Sequence, residues 1–415
     1  MTATCCSVPA PAVKDRPAVL LSLAVLLALL AAPLPARADL GDPIKGQALF
    51  VSKGCVQCHA IRGSGGRIGP DLGRTATKGS FFEIAATMWN HSLVMSEKMQ
   101  EFRFMRPVFE GSELADLLAF LYFLNYFDEP GDPKAGKVLF LEKHCIQCHG
   151  LGKVGGNAGP RLDTLSRGTS PLRIAQDLWN HGPVMIPAIR RMGLDVPQFQ
   201  GNEILDLFAY LRSQGHREAT RDFRSSGDSV RGRSLFASKG CVRCHTVFGR
   251  DSVIGPDLGR TDLRGSVTQL AGRMWNHWPA MSEAMGTLGM APPTFKGEDL
   301  ADVFAYLFVS RYEGPRGDLR RGLHLYRDRK CVTCHGETGG GAVAVALHKA
   351  SGETKEQILQ RMWNAAPKMW ARMGVQHIAW PRFDADDLSA LVTLLADGWK
   401  TAPAPSDSSR KTTAR

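Results

Sequence analysis

A pentapeptide of two cysteines, two intervening residues and a histidine directly after the second cysteine occurs four times in this chain. In a C-x-x-C-H sequence both thiols lie within one turn, where each can bond a vinyl group of one porphyrin, and the imidazole can bind the iron. The pattern therefore predicts four covalently attached haems. The copies read Cys55-Val56-Gln57-Cys58-His59, Cys145-Ile146-Gln147-Cys148-His149, Cys241-Val242-Arg243-Cys244-His245 and Cys331-Val332-Thr333-Cys334-His335.

Three other uses of paired cysteines explain this pattern less well. A tetrahedral zinc site would need two further ligands for each cysteine pair, and a thioredoxin-like motif needs no following histidine. A disulfide framework would not space its cysteines as four copies of one motif. Haem attachment gives a reason for the histidine, so we expect His59, His149, His245 and His335 to be iron ligands.

The N-terminal residues resemble an export signal. An apolar run at 18–32 follows Lys14 and Arg16, and Ala36-Arg37-Ala38 supplies an A-x-A cleavage site. Because the run is shorter than the about 20 apolar residues that span a bilayer, cleavage is favoured over an uncleaved anchor. We expect residues 1–38 to be a signal peptide, no transmembrane segment after its removal, and export to the bacterial periplasm.

Cysteine use and charge restrict the classes of partner. Eight of the ten cysteines belong to the haem motifs, and Cys5 and Cys6 precede the apolar run, so the mature chain would form no disulfide. The formal charge is +11, but the propionates of four haems would add roughly eight negative charges. Lysine and arginine form no stripe, so nucleic-acid binding is not expected. The alternative is that basic patches dock acidic partner proteins.

The haem motifs lie in four repeated units. Each opens with Gly-Asp-x-x-x-Gly-x-x-Leu-Phe/Tyr, whose Asp is typical of a helix N-cap. After the haem motif come a glycine-rich loop, a middle helix with Trp-Asn-His/Ala-x-x-x-Met, and a last helix introduced by a proline. We predict haem domains at 41–128, 131–222, 227–313 and 317–400 (units one to four), joined by short linkers, and a disordered tail at 401–415.

These motifs resemble the class I cytochrome c domain, repeated four times in tandem. The resemblance implies an all-α fold of four tandem class I cytochrome c-like haem domains, each holding one haem c. In that family a proline-bearing loop supports the proximal histidine and a methionine supplies the sixth iron ligand. Gly-Pro-x-Leu assigns that loop to Pro70, Pro160 and Pro256, whereas unit four has Ala344-Val345-Ala346 before Leu347.

The identity of the sixth ligand is undecided from the sequence, because Trp-Asn-His-x-x-x-Met departs from the family's usual methionine loop. One methionine occupies the same place in every unit: Met95, Met185, Met281 and Met369. Its thioether suits haem iron, and Met/His ligation raises the potential relative to bis-His. We therefore prefer this series as the sixth ligands. A methionine that does not bind iron would fill space in the hydrophobic core.

Other residues compete for the sixth position. The series Met99, Met285 and Met373 has Ile189 in unit two, and Met105, which looks most like the family methionine, has no counterpart elsewhere. His91, His181 and His277 would give bis-His haems. A hydrogen bond to a propionate or a surface position is preferred for them, and Ala365 replaces them in unit four.

The four tryptophans of the same repeat are expected to pack on the haems, with the indole N–H donated to a propionate. Plain core packing explains them nearly as well. They are Trp89, Trp179, Trp275 and Trp363.

A haem with both axial positions filled changes oxidation state without an open site. The sequence therefore favours an exported tetrahaem carrier that passes electrons between redox partner proteins, with consecutive haems kept close by the short linkers. Alternatives are a haem peroxidase or reductase, a small-ligand sensor, or an electron-transfer subunit of a larger complex, peripherally associated with a membrane. Haem four, without the proline loop and the histidine, is expected to have the highest potential.

Overall fold

The structure is a computed structural model. It describes residues 41–74, 79–124, 126, 128–165, 169–215, 227–249, 254–261, 263, 265–341, 343–347, 350 and 352–397. The predicted signal peptide and the predicted tail lie outside these residues. Helices are the main regular structure of the described residues, which confirms the all-α prediction. Within these ranges, no helix is both long and apolar enough to cross a membrane.

Every unit repeats one order of helices. The first helices are Pro43–Ser52, Pro133–Glu142, Ser229–Ser238 and Leu319–Asp328. The haem motifs form single turns at Cys55–Cys58, Cys145–Cys148, Cys241–Arg243 and Val332–His335. The middle helices are Phe81–Asn90 with Ser92–Glu101, Pro171–Arg191, Val267–Asn276 with Trp278–Thr287, and Lys355–Val375. The last helices are Glu113–Phe123, Glu203–Gln214, Asp299–Glu313 and Ala385–Asp397. Two short antiparallel strands, Ala60–Ile61 and Ser64–Gly65, follow the first haem motif.

The repeated opening sequence starts the first helix and packs it on the last helix. The Asp42 carboxylate accepts hydrogen bonds from the backbone N–H groups of Ile44 and Lys45, as predicted for an N-cap. A Cβ on Gly46 would lie 2.0 Å from the carbonyl oxygen of Asp116, so only glycine permits the close crossing. The Asp42 N–H donates to the Asp116 carboxylate at 2.7 Å.

The hydrophobic core of the described residues consists of two clusters, and each combines residues of two units. One cluster is built almost entirely from units one and four, with Tyr312 added from unit three. The other is built from units two and three. The units therefore form two pairs: unit one with unit four, and unit two with unit three.

The Trp-Asn sequence of each middle helix makes the contacts that define the pairs. In unit one the indole N–H of Trp89 donates to the Pro381 carbonyl at 2.9 Å. The Asn90 side chain donates to the Phe383 carbonyl at 2.8 Å and accepts from the Phe383 N–H at 3.0 Å. Unit one thus binds the segment that precedes the last helix of unit four.

The contact is reciprocal, and it recurs in the second pair. Trp363 and Asn364 of unit four bind Pro107 and Phe109 of unit one in the same way. In the second pair the indole groups donate at 2.8 Å to Pro293 and Pro197, and the asparagines bind Phe295 and Phe199. Each pair is therefore approximately two-fold symmetric.

Units one and three join the two pairs. The Tyr122 hydroxyl donates to the Phe308 carbonyl at 2.8 Å, and the ring of Tyr126 lies 4.2 Å from that of Phe308. The Thr268 hydroxyl donates to the Asp128 carboxylate at 2.6 Å. Unit three therefore contacts unit one directly.

Candidate haem-binding sites

The histidine of each haem motif is oriented by a backbone carbonyl. Nδ1 of His59 lies 3.0 Å from the Pro70 carbonyl oxygen, His149 lies 2.8 Å from that of Pro160, and His245 lies 3.0 Å from that of Pro256. Because a carbonyl can only accept, each imidazole carries its proton on Nδ1, which leaves the Nε2 lone pair to bind a metal.

The glycine before each proline lets this loop press against the imidazole. A Cβ on Gly69 would lie 2.4 Å from Cε1 of His59, and the corresponding distances at Gly159 and Gly255 are 2.6 Å. A side chain at any of these positions would displace the ring or the loop. The structure therefore gives a physical reason for Gly-Pro in units one to three.

Unit four keeps the hydrogen bond without the proline. Nδ1 of His335 lies 3.0 Å from the Val345 carbonyl oxygen, a distance within the range of the other units. Loss of the proline therefore does not remove this hydrogen bond. The acceptor is a backbone carbonyl, which any residue supplies when the loop reaches the same place.

The cysteines of the haem motifs are free and half-buried. None of the eight described cysteines is in a disulfide. Burial raises the pKa of Cys55, Cys145, Cys241 and Cys331 to about 11, so these four are neutral thiols at physiological pH. A reactive redox cysteine has the opposite property, a depressed pKa. Two cysteines in one turn beside an oriented imidazole fit a covalently bound haem.

The preferred methionine series lies on or beside the middle helices. Met95, Met185, Met281 and Met369 are half-buried and pack against the two cores. Met105, the closest match to the family's usual methionine, is 92% exposed, so it is not held as a buried ligand would be. Iron ligation by the preferred series remains a prediction.

The histidines of the same repeat lie at the surface. Nδ1 of His91 is 2.9 Å from the Thr87 carbonyl oxygen, four residues earlier in its own helix. His181 and His277 make the same contact at 3.2 and 3.0 Å. All three side chains are exposed. Each ring is thus tied to its own helix on the outside of the protein.

The four tryptophans have a different hydrogen-bond partner from the one expected. Their indole N–H groups donate to backbone carbonyls of the paired unit and not to a propionate, so that expectation is wrong. Haem packing by the rings stays a prediction. A sequence signal for the pairing existed: Pro-x-Phe recurs before the last helix of every unit that contains Trp-Asn.

Arg106 is a candidate site residue that the sequence interpretation missed. Its guanidinium lies 3.7 Å from the centre of the Trp363 ring and donates to the Ser96 hydroxyl at 2.7 Å. Its Nε and Nη2 atoms are buried and have no hydrogen-bond partner among the described residues. Burial lowers the pKa of Arg106 to about 10. A half-buried cation with two unpaired N–H groups is a candidate to hold a haem propionate.

The cytochrome c family model matches residues 44–124, 133–215 and 229–308, which is more than half of the chain. The protein therefore belongs to the cytochrome c family, and its cytochrome c domains imply haem-based electron transfer. No curated protein and no solved structure gives a significant match. The three matched segments fall in units one, two and three. Unit four has the same order of helices and the same imidazole contact.

Proposed function

We propose that the protein is an exported tetrahaem cytochrome c that carries electrons between redox partner proteins. The observation that carries this proposal is the oriented imidazole, which recurs in all four units with Nδ1 2.8–3.0 Å from a carbonyl oxygen. Unit four shares it and also has both motif cysteines. These features support four haems, although the family model matches three segments.

Haem c, when bound, supplies an iron that accepts and returns one electron. The chain's own residues hold the group. The motif cysteines would attach it, the imidazole Nε2 would bind the iron, and the carbonyl behind Nδ1 would fix the ring and increase its basicity. Met95 and its counterparts are the proposed ligands on the other side, since they are half-buried beside the cores.

A haem ligated on both sides has no open position for a substrate. This favours a carrier over a peroxidase, a reductase or a ligand sensor. Export to a bacterial periplasm is supported by the apolar run and the A-x-A site before residue 39. The partners would be other redox proteins, and peripheral association with a membrane complex is compatible with this role.

Three measurements on the holoprotein test the proposal. Intact mass should show four haem increments and an N-terminus at Asp39. Redox titration should show four reversible one-electron steps, and near-infrared and resonance Raman spectra should show Met/His ligation at each iron. Three haems, or carbon monoxide binding by a reduced five-coordinate haem, would contradict the tetrahaem carrier. As a control, replacement of both Cys331 and Cys334 by Ala should remove one haem increment.

A further inference from the structure

We propose that the haems exchange electrons in the spatial order four, one, three, two, and not in the order of the chain. The proposal rests on the proposed electron-carrier function. The haem-motif cysteines Cys55 and Cys331 pack against one core cluster, and Cys145 and Cys241 pack against the other. Interactions between redox centres are strongest where the centres share such a dry interface, because water is excluded from it.

The interface of units one and four is closed by aromatic side chains. Trp380 stacks on Trp89 with ring centres 4.5 Å apart and an angle of 18° between the planes. On the symmetric side Arg106 covers Trp363. Trp89 and Trp363 are 5% and 4% exposed, so water is excluded from the tryptophans at the centre of this interface.

The interface of units two and three is filled by a different tryptophan, Trp278, which lies at another position of the repeat. Trp278, the second residue after Asn276, is buried, and a Cβ on the facing Gly182 would lie 2.6 Å from its indole nitrogen. The residues that correspond to Gly182 in units one and four are Ser92 and Ala366, which both have a Cβ. Trp278 therefore fits unit two, and the pairing is specific.

A glutamine adds to this specificity in each pair. The Gln360 side chain accepts from the Leu114 N–H and donates to the Gly111 carbonyl, and Gln176 does the same to Leu300 and Gly297. The corresponding positions in units one and three are Ala86 and Gly272. Each pair therefore combines one glutamine unit with one small-residue unit.

The two pairs meet through the inner units, one and three. Tyr122 and Tyr312 are each 1% exposed, and their ring centres lie 4.8 Å apart. The principal helix–helix contacts between units join one with four, two with three, and one with three. Units four and two are therefore the ends of the array, where exchange with external partners would begin and finish.

The pairwise interactions between haem potentials test this order in the intact holoprotein. Two-dimensional exchange NMR through the stages of reduction measures how far reduction of each haem shifts the potential of every other. Haem signals are assigned through contacts with residues of their own unit. We expect the largest interactions for haems one and four and for haems two and three, and the next largest for haems one and three.

If the interactions were instead largest between haems one and two, or between haems three and four, the spatial order would be overturned and the carrier function would stand. Haems that cannot be reduced reversibly would instead overturn the carrier function itself. A matched pair of variants then tests whether the tryptophan contacts between paired units produce these interactions. Trp89→Phe removes the indole N–H and keeps an aromatic ring, so it should weaken the interaction of haems one and four only. Trp179→Phe should weaken that of haems two and three only, and identical effects of both variants would refute the pairing.

Discussion

Replacement of Asn364 by alanine should destabilise the pair of units one and four by about 2–4 kcal/mol. The side chain makes two hydrogen bonds to Phe109 of unit one, at 2.8 Å to its carbonyl and at 3.1 Å from its N–H. Each such bond contributes about 1 kcal/mol net, and a buried backbone group left without a partner costs about 1–3 kcal/mol. Phe109 is 1% exposed, so water cannot replace both bonds.

Denaturant titration of the holoprotein, followed by far-ultraviolet circular dichroism and by haem absorbance, would measure this loss. Asn276→Ala is the matched variant, because Asn276 makes the same two contacts with Phe199 in the other pair. The exposed Asn157 provides the control, and Asn157→Ala should change the free energy of unfolding by less than about 0.5 kcal/mol. A loss for Asn364→Ala no larger than that of this control would refute the reasoning.

Four further predictions concern the haem sites. Met185→Ala should convert one haem to high spin with a lower potential, whereas Met105→Ala should leave the haem spectra unchanged because that side chain is exposed; the opposite outcome would exclude the preferred methionine series. Gly69→Ala should disturb the proximal ligation of haem one in the resonance Raman spectrum, since the new Cβ would lie 2.4 Å from the imidazole. Arg106→Leu should lower one haem potential in a redox titration and Arg106→Lys should restore most of it, because a nearby cation disfavours oxidised iron; equal potentials in all three proteins would exclude propionate binding. Ala365→His should leave the potential of haem four unchanged, because the equivalent histidines bond to their own helices at the surface; a fall towards the other potentials would show that this histidine tunes the haem.

Features set by residues close together in the chain could be predicted from the sequence. The Asp42 cap involves residues two and three positions later, and the haem motif occupies a single helical turn. The contact of His59 with Pro70 spans only 11 residues and followed from the family resemblance. At His335 the resemblance gave no such guide, because unit four lacks the proline and its acceptor is the backbone carbonyl of Val345.

The role of the tryptophans could not be predicted in the same way. A propionate oxygen and a peptide carbonyl are both good acceptors for an indole N–H, so the residue type does not decide between them. The acceptor of Trp89 is 292 residues away in the chain, and no local periodicity indicates a contact at that separation. The short linkers do not indicate either that unit one pairs with unit four, at the other end of the chain.

Unit four shows that the loop beside the haem-motif histidine can change while the residues that pair the units stay the same. It lacks the Gly-Pro pair and the histidine after Trp-Asn, yet it has Trp363, Asn364 and the Pro-x-Phe segment that unit one binds. With four near-identical Trp-Asn and Pro-x-Phe sequences, the hydrogen bonds between these two sequences would permit any pairing. The side chains that differ between units, above all Trp278 against Gly182 and Trp380 against Trp89, are therefore what selects the partner of each unit.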